Sequence, residues 1–311
     1  MNVDEKIKII DRNLPAALNM MRRCRICPRN CGVDRLADEK GICRAGKDLL
    51  VSSIALHHGE EPPISGYGGS GTVFFAGCNL RCVFCQNYSI SHQLQGNTIG
   101  AKELAAEMIG LQGKGAHNIN LVTPTHLGPL IMQSLRHAYK RGLTIPVVYN
   151  CGGYESVEMV KLWDGIVDIY MPDMKYGDSA PAKKYSSAPD YVEINQAAIL
   201  EMHRQVGILR MNKEGIGRRG LLIRHLVLPE KTGTEKIMKF IAEKVSPETY
   251  ISLMSQYFPE YRASEFPELN HRLRPSEYLE AKRIMQSAGL SRGWHQNVAI
   301  DESLFSIRNY L

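Results

Sequence analysis

The sequence contains no stretch approaching the roughly 18 consecutive apolar residues that mark a membrane-spanning helix. Its opening, MNVDEKIKII, carries early acidic residues and lacks the apolar core and small-residue cleavage site of a secretory leader. No basic run is present either. Lys and Arg total 38 against 32 Asp and Glu, and the +6 excess is spread along 311 residues rather than gathered into a nucleic-acid footprint. Internal repeats and low-complexity tracts are absent. Cysteine is scarce after the first third, where Cys151 stands alone. These absences predict a cytoplasmic protein with neither a membrane nor a nucleic acid as partner. In a reducing compartment, close thiol clusters point to metal rather than to disulfide staples.

What is present divides the chain in three. Residues 1–66 are rich in Cys, Arg and Gly, with a short helix expected over Leu14–Arg23 and little periodicity after it. A core this thin is expected to need a metal staple, giving a small N-terminal metal-binding module. The stretch HHGEEPPISGYGGSG reads as a loop, punctuated by Pro62, Pro63 and several glycines. Across 67–258, short apolar runs alternate with helical stretches. Strands are expected at Thr72–Ala76, Asn118–Val122, Ile145–Tyr149, Ile166–Met171, Leu221–Leu228 and Tyr250–Met254. Helices are expected at Ala101–Leu111, Pro129–Arg141, Ser156–Trp163, Tyr191–Val206 and Glu235–Lys244. Six strand-helix units predict an α/β fold, a partial (β/α)6 TIM-like barrel with a parallel sheet, right-handed crossovers and its functional residues at the C-terminal strand ends. Residues 259–311 are expected to form an extension packed on the barrel, with a helix over Pro275–Ala288 and a Trp-containing end.

Cys78, Cys82 and Cys85 form CxxxCxxC in FFAGCNLRCVFCQN, between the first barrel strand and the first barrel helix. Three thiolates on one tight loop can hold three irons of a [4Fe–4S] cube and leave the fourth iron open to an outside ligand. Zinc asks for a fourth protein ligand and more often uses paired CxxC elements, so a zinc knuckle is the weaker alternative. With Phe84 just before the last cysteine, this segment resembles the radical S-adenosylmethionine (SAM) superfamily. CNLRCVFCQN is most similar to its pyruvate formate-lyase activating enzyme branch. The longer string from Gly59 to Ser91, together with the N-terminal cysteines, resembles an activating-enzyme-like subgroup of unassigned activity. The resemblance implies reductive cleavage of SAM at the cluster, a 5′-deoxyadenosyl radical that abstracts hydrogen, and a reductant such as flavodoxin or ferredoxin. It also implies a glycyl radical protein as a candidate target, with a small molecule or another polypeptide modification as the alternative. A non-catalytic iron–sulfur carrier or adaptor is the competing class.

The resemblance also sets expectations at the later strand tips. The second strand ends LVTPTH where the family usually carries Gly-Gly-Glu against the SAM amino group. Thr125 or His126 is the candidate replacement, unless His126 caps a helix or bonds backbone. At the third and fourth tips the branch binds a monovalent cation, which points to Asn150, Cys151, Met171 and Asp173. Cys151 would serve through its carbonyl, or else is a buried inert thiol. Asp173 and Lys175 share one side of an extended segment, an anion and a cation suited to a zwitterion if they are not an exposed surface pair. By resemblance, Lys175 and Arg224 face the SAM carboxylate. Arg224 lies in an apolar run and needs an anion, so an internal salt bridge is its alternative. Gln256 or Tyr257 stands where the family has His. The polar stretch 177–190 is a solvated loop, or a lid over the barrel mouth carrying Lys183, Lys184 and Tyr185. NKEGIGRRG is Gly-rich without a phosphate fingerprint.

Cys24, Cys27, Cys31 and Cys43, in CRICPRNCGVDRLADEKGICRAG, supply a closed four-thiol donor set. CxxCxxxC with a distant fourth cysteine suits an auxiliary [4Fe–4S] cluster, with structural zinc as the alternative.

Overall fold

A computed structural model describes residues 2–229 and 233–296. Among the described residues ten strands make one sheet: β1 (Leu49–His57), β2 (Ser70–Phe75), β3 (Asn97–Ile99), β4 (Ile119–Val122), β5 (Val147–Cys151), β6 (Ile169–Pro172), β7 (Arg210–Met211), β8 (Gly217–Leu226), β9 (Tyr250–Met254) and β10 (Gly293–His295). The lateral order is β3-β1-β2-β4-β5-β6-β8-β9-β10, with β7 paired to β8. From β2 to β10 every neighbour along that path is parallel, and the six expected strands stand side by side in chain order. β1 runs antiparallel to both β2 and β3. Among the described residues the edges are β3 and β10, so the sheet stays open.

Strand alternation assigns the two faces. Ile119, Leu121, Val147, Tyr149, Ile223 and Ile251 point to the helix side, where they pack with Leu104, Met108, Ile131, Leu135, Val160 and Met202. The opposite parity puts Val148, Ile169, Met171 and Leu222 on the inner face, plugged by Ile64 and Leu209. Burial on both faces explains why β5 and β6 read as largely apolar runs, with Asn150 near the C-terminal tip of β5.

The sequence underestimates four elements. The first helix spans Val3–Arg22, opened by a capping box between Asn2 and Glu5, and carries Pro15 in its interior. Its charged first turns and the proline hide the spacing that buries Ile10, Ala17 and Met21. β1 arises inside the Cys-rich third, where LLVSSIALH alternates weakly but pairs along β2. The stretch expected as loop over 177–190 contains the helix Ser179–Ser186, seated by buried Ala182 and Tyr185. Lys184 and Tyr185 both bind Glu268 of the C-terminal segment. β10 emerges from the Trp-containing end. The helix expected over Glu235–Lys244 is α-helical across Thr234–Phe240 and widens to a π turn over Ile241–Val245.

Candidate functional site

The cysteine loop leaves the C-terminal end of β2 through Gly77, at φ +87°. A Cβ there would fall 2.8 Å from the Cys43 carbonyl oxygen and 3.0 Å from His126 Nε2, so the turn requires glycine. Beyond it each thiol meets a hydrogen-bonding group. Leu80 N donates to Cys78 Sγ at 3.4 Å, while Cys82 Sγ lies 2.9 Å from Ser186 Oγ and Cys85 Sγ lies 3.1 Å from Ser91 Oγ. Phe84 is buried, its ring edge-on to Tyr257. Burial pushes Cys78 up to about 12 and Cys82 to about 11, and raises Cys85; the Lys175 ammonium opposes the rise at all three.

All eight cysteines are free thiols. Among the described residues, no three His, Cys, Asp or Glu side chains are gathered for a single metal ion. A cube asks for a different arrangement, since each cysteine serves its own iron and the sulfurs stand apart around it. Soft thiol donors, hydrogen bonds to sulfur and a nearby cation fit that demand.

The strand tips beside this loop bring together four expected residues. Asp173 and Arg224 are bridged at the ends of β6 and β8. Arg224 Nε donates to Asp173 Oδ1 at 2.9 Å and Nη2 donates to Asn150 Oδ1 at 2.7 Å, while Lys175 pairs with the other Asp173 oxygen. Against burial, which would raise it, Arg224 and Lys175 hold the Asp173 carboxyl below its ordinary range. The guanidinium therefore spans Asn150 and Asp173, two of the groups expected around a monovalent cation. Met171 packs in the inner-face core. Nothing in the sequence marked Glu60: its carboxylate stands 3.8 Å from Arg224 Nη1, delivered by the GEEPP segment that reads as linker.

Thr125 and His126 turn elsewhere. Thr125 Oγ1 donates to Glu155 Oε1 at 2.6 Å, and Tyr149 donates to the other Glu155 oxygen at 3.0 Å. Burial pushes Glu155 up to about 7; the thiol of Cys151 also bonds to it. His126 Nε2 lies 2.8 Å from the Ala76 carbonyl and donates to it, and burial holds the ring's pKa down at about 4. Thr123, just before them, takes φ +59°, unusual for a β-branched residue. Tyr257 donates to the Leu269 carbonyl at 2.6 Å, and the Gln256 carbonyl accepts from Gln86 Nε2 at 2.9 Å.

Cys24, Cys27 and Cys43 are buried and Cys31 is partly so. Desolvation raises Cys27 and Cys43, and the neighbouring thiols add to the rise. This donor set lies against the loop just described. Arg29, between Cys27 and Cys31, donates to the carbonyls of Asn79 (2.7 Å), Ser186 (3.2 Å) and Ser187, with its guanidinium over the Tyr154 ring. Fully buried Arg35 donates to the carbonyls of Gly46 and His126.

No family model matches the chain. It is 33% identical over 296 residues to uncharacterized protein MJ0674 of Methanocaldococcus jannaschii, covering 92% of this chain and 80% of that one. With uncharacterized protein MJ0808 of the same organism it shares 23% identity over 304 residues, covering 91% and 79%. A solved structure of a radical SAM methyltransferase from Sphaerobacter thermophilus superimposes with a TM-score of 0.51 at 14% identity, covering 73% of this chain and 66% of that one. That likeness is one of fold, a mixed α/β architecture around a large, mostly parallel sheet. The chain has a fold similar to that of radical SAM proteins and belongs to the family of MJ0674.

Proposed function

We propose that this protein is a radical SAM enzyme. The observation that carries the proposal is the placement of three thiols on the loop leaving β2, Cys82 buried and Cys78 and Cys85 partly so, beside an Asp173–Lys175–Arg224 cluster on neighbouring strand tips. Cys78, Cys82 and Cys85 would hold the [4Fe–4S] cluster. Bound there, it would supply the electron that cleaves SAM to methionine and a 5′-deoxyadenosyl radical for hydrogen abstraction. Lys175 and Arg224 would bind the carboxylate of the methionine end, with Asp173 and Asn150 fixing both cations. Phe84 and Tyr257 would shield the loop from water. An electron carrier would need no such array of charges at its strand tips.

The target differs from that of the activating enzymes in what this chain offers. The tip of β4 directs Thr125 and His126 into the protein rather than outward, and a four-thiol module is latched to the cluster loop. Both features favour a substrate other than a glycyl radical protein. The four N-terminal thiols would hold the auxiliary metal.

Anaerobic iron–sulfur reconstitution followed by dithionite and SAM should release 5′-deoxyadenosine. Its absence from protein with a filled, reducible cluster would favour the carrier. Replacing Cys78, Cys82 and Cys85 by Ala should abolish release and leave only the N-terminal metal, so iron and zinc counts on that variant identify it.

A further inference from the structure

On the inner face of the sheet, the polar residues outnumber their partners. Alternation turns Asn120 of β4 and Ser252 of β9 inward, since Leu121 and Leu253 pack on the helix side. Ser252 is the register partner of Arg224. Both Asn120 and Ser252 are fully buried, and Glu61 is 3% exposed. The Asn120 Nδ2 and Oδ1 atoms, Ser252 Oγ and Glu61 Oε2 have no hydrogen-bond partner. Asn120 lies close enough to Glu60 to favour its ionised form, yet neither amide atom completes a bond of normal geometry. Nine in ten buried polar atoms are satisfied in native proteins, so orphaned groups on one face, beside Glu60 and beside Arg224, call for a partner.

Charge gives the same answer. Asp173 engages both Lys175 and Arg224 at close range. That leaves Glu60 and Glu61 only the outer side of one guanidinium, at 3.8 Å from Glu60. Burial and the Glu61 carboxylate push Glu60 up to about 7, as expected of an acid short of positive charge. The missing group is a cation. The Asn120 amide faces the Glu60 carboxylate, and the unpaired Ser252 hydroxyl, next to Arg224 in register, can donate to an acceptor oxygen beside that cation. Apolar Val148, Ile169, Met171 and Leu222 line the same face.

We infer that Glu60, Glu61, Asn120 and Ser252 form a substrate subsite for an aminoacyl group: a protonated amine next to a carbonyl, as in a free amino acid or the first residue of a peptide. The proposed function enters only in naming this group as substrate. SAM carries an aminoacyl end of its own, so the two sources must be separated.

The test measures binding to the reconstituted full chain by calorimetry, with three probes. L-alaninamide carries both features, propionamide lacks the amine, and SAM alone reports the other source. L-alaninamide should bind and propionamide should not. Glu60→Gln, isosteric and uncharged, and Ser252→Ala, which removes only an unpaired hydroxyl, should each weaken L-alaninamide about tenfold, the loss of one contact, and Ser252→Ala should leave SAM affinity unchanged. Matched weakening of SAM would reassign the groups to SAM. Absent L-alaninamide binding, or equal binding by folded variants, would reduce the cluster to a hydrated interior. If the parent protein bound L-alaninamide but no SAM, the radical SAM proposal would fail and this one would stand.

Discussion

His126 can be either a ligand contact or a buried structural ring by sequence, and its surroundings give it the second environment. The ring is 1% exposed, donates to Ala76 beneath the Gly77 turn, and leaves Nδ1 without a partner. Burial therefore lowers its pKa from 6.5 to about 4. Between those values the unfolded chain binds a proton that the folded ring refuses. The stability it contributes is complete above pH 6.5 and is lost as pH falls toward 4, by about 3 kcal/mol at 1.36 kcal/mol per unit. His126→Gln keeps an Nε donor without a titrating ring, so urea midpoints of that variant should show a shallower fall over this window. An unchanged slope would place the proton uptake elsewhere, for example at His225, also pushed down to about 4 by burial. At this scale the sequence reveals chemistry but not direction. Cys78, Cys82 and Cys85 are legible because spacing alone puts them on one loop. Asp173, Lys175 and Arg224 are legible because charges in apolar runs must find one another. Glu60 is not, because its partners lie on β4 and β8, and nothing local distinguishes its acid from a solvated one.

Between elements, the consequential contact is the Arg29 fork. It holds three carbonyls at the cysteine loop and its supporting helix end, and Ser186 in turn bonds Cys82 and Tyr176. Charged hydrogen bonds contribute about 1.5–3 kcal/mol each, so Arg29→Lys, which keeps the charge but loses the planar fork, should loosen the loop without unfolding the sheet. Hydrogen exchange across residues 78–86 should accelerate, since Arg81 N and Val83 N bond to the same helix end, while exchange in β5 and β6 stays as it was. Equal protection in both proteins would make the fork a bystander. The strands of the parallel sheet are visible in sequence because burial on both faces writes each as an apolar run. The helix Ser179–Ser186 is not, because SAPAKKYS has little helical pattern and is seated through tertiary contacts of Ala182 and Tyr185. The Arg29 latch is hidden for a related reason: its acceptors are backbone carbonyls, which no side-chain motif encodes.

Across the whole molecule, the N-terminal third is joined to the rest by long-range interactions, which is why its share of the fold escapes local pattern. β1 extends the sheet beyond β2, and the Val3–Arg22 helix packs along Gly128–Lys140. At its start, Lys6 reaches the bottom of the sheet. Its ammonium donates to the Ile166 carbonyl at 3.1 Å and pairs with Asp168, whose carboxylate also accepts from Val147 N at 2.9 Å. Both side chains are largely buried, at 8% and 16% exposure. Removing one partner of such a pair strands the other charge and costs about 3–5 kcal/mol, whereas removing both charges together costs far less. Lys6→Ala should therefore lower the urea midpoint strongly, and Lys6→Met with Asp168→Asn should recover most of the loss. A midpoint for Lys6→Ala close to that of the parent would mean that apolar packing of Ile10, Ala17 and Met21 alone anchors the helix. The four N-terminal thiols would then depend on that packing to stay against the cysteine loop.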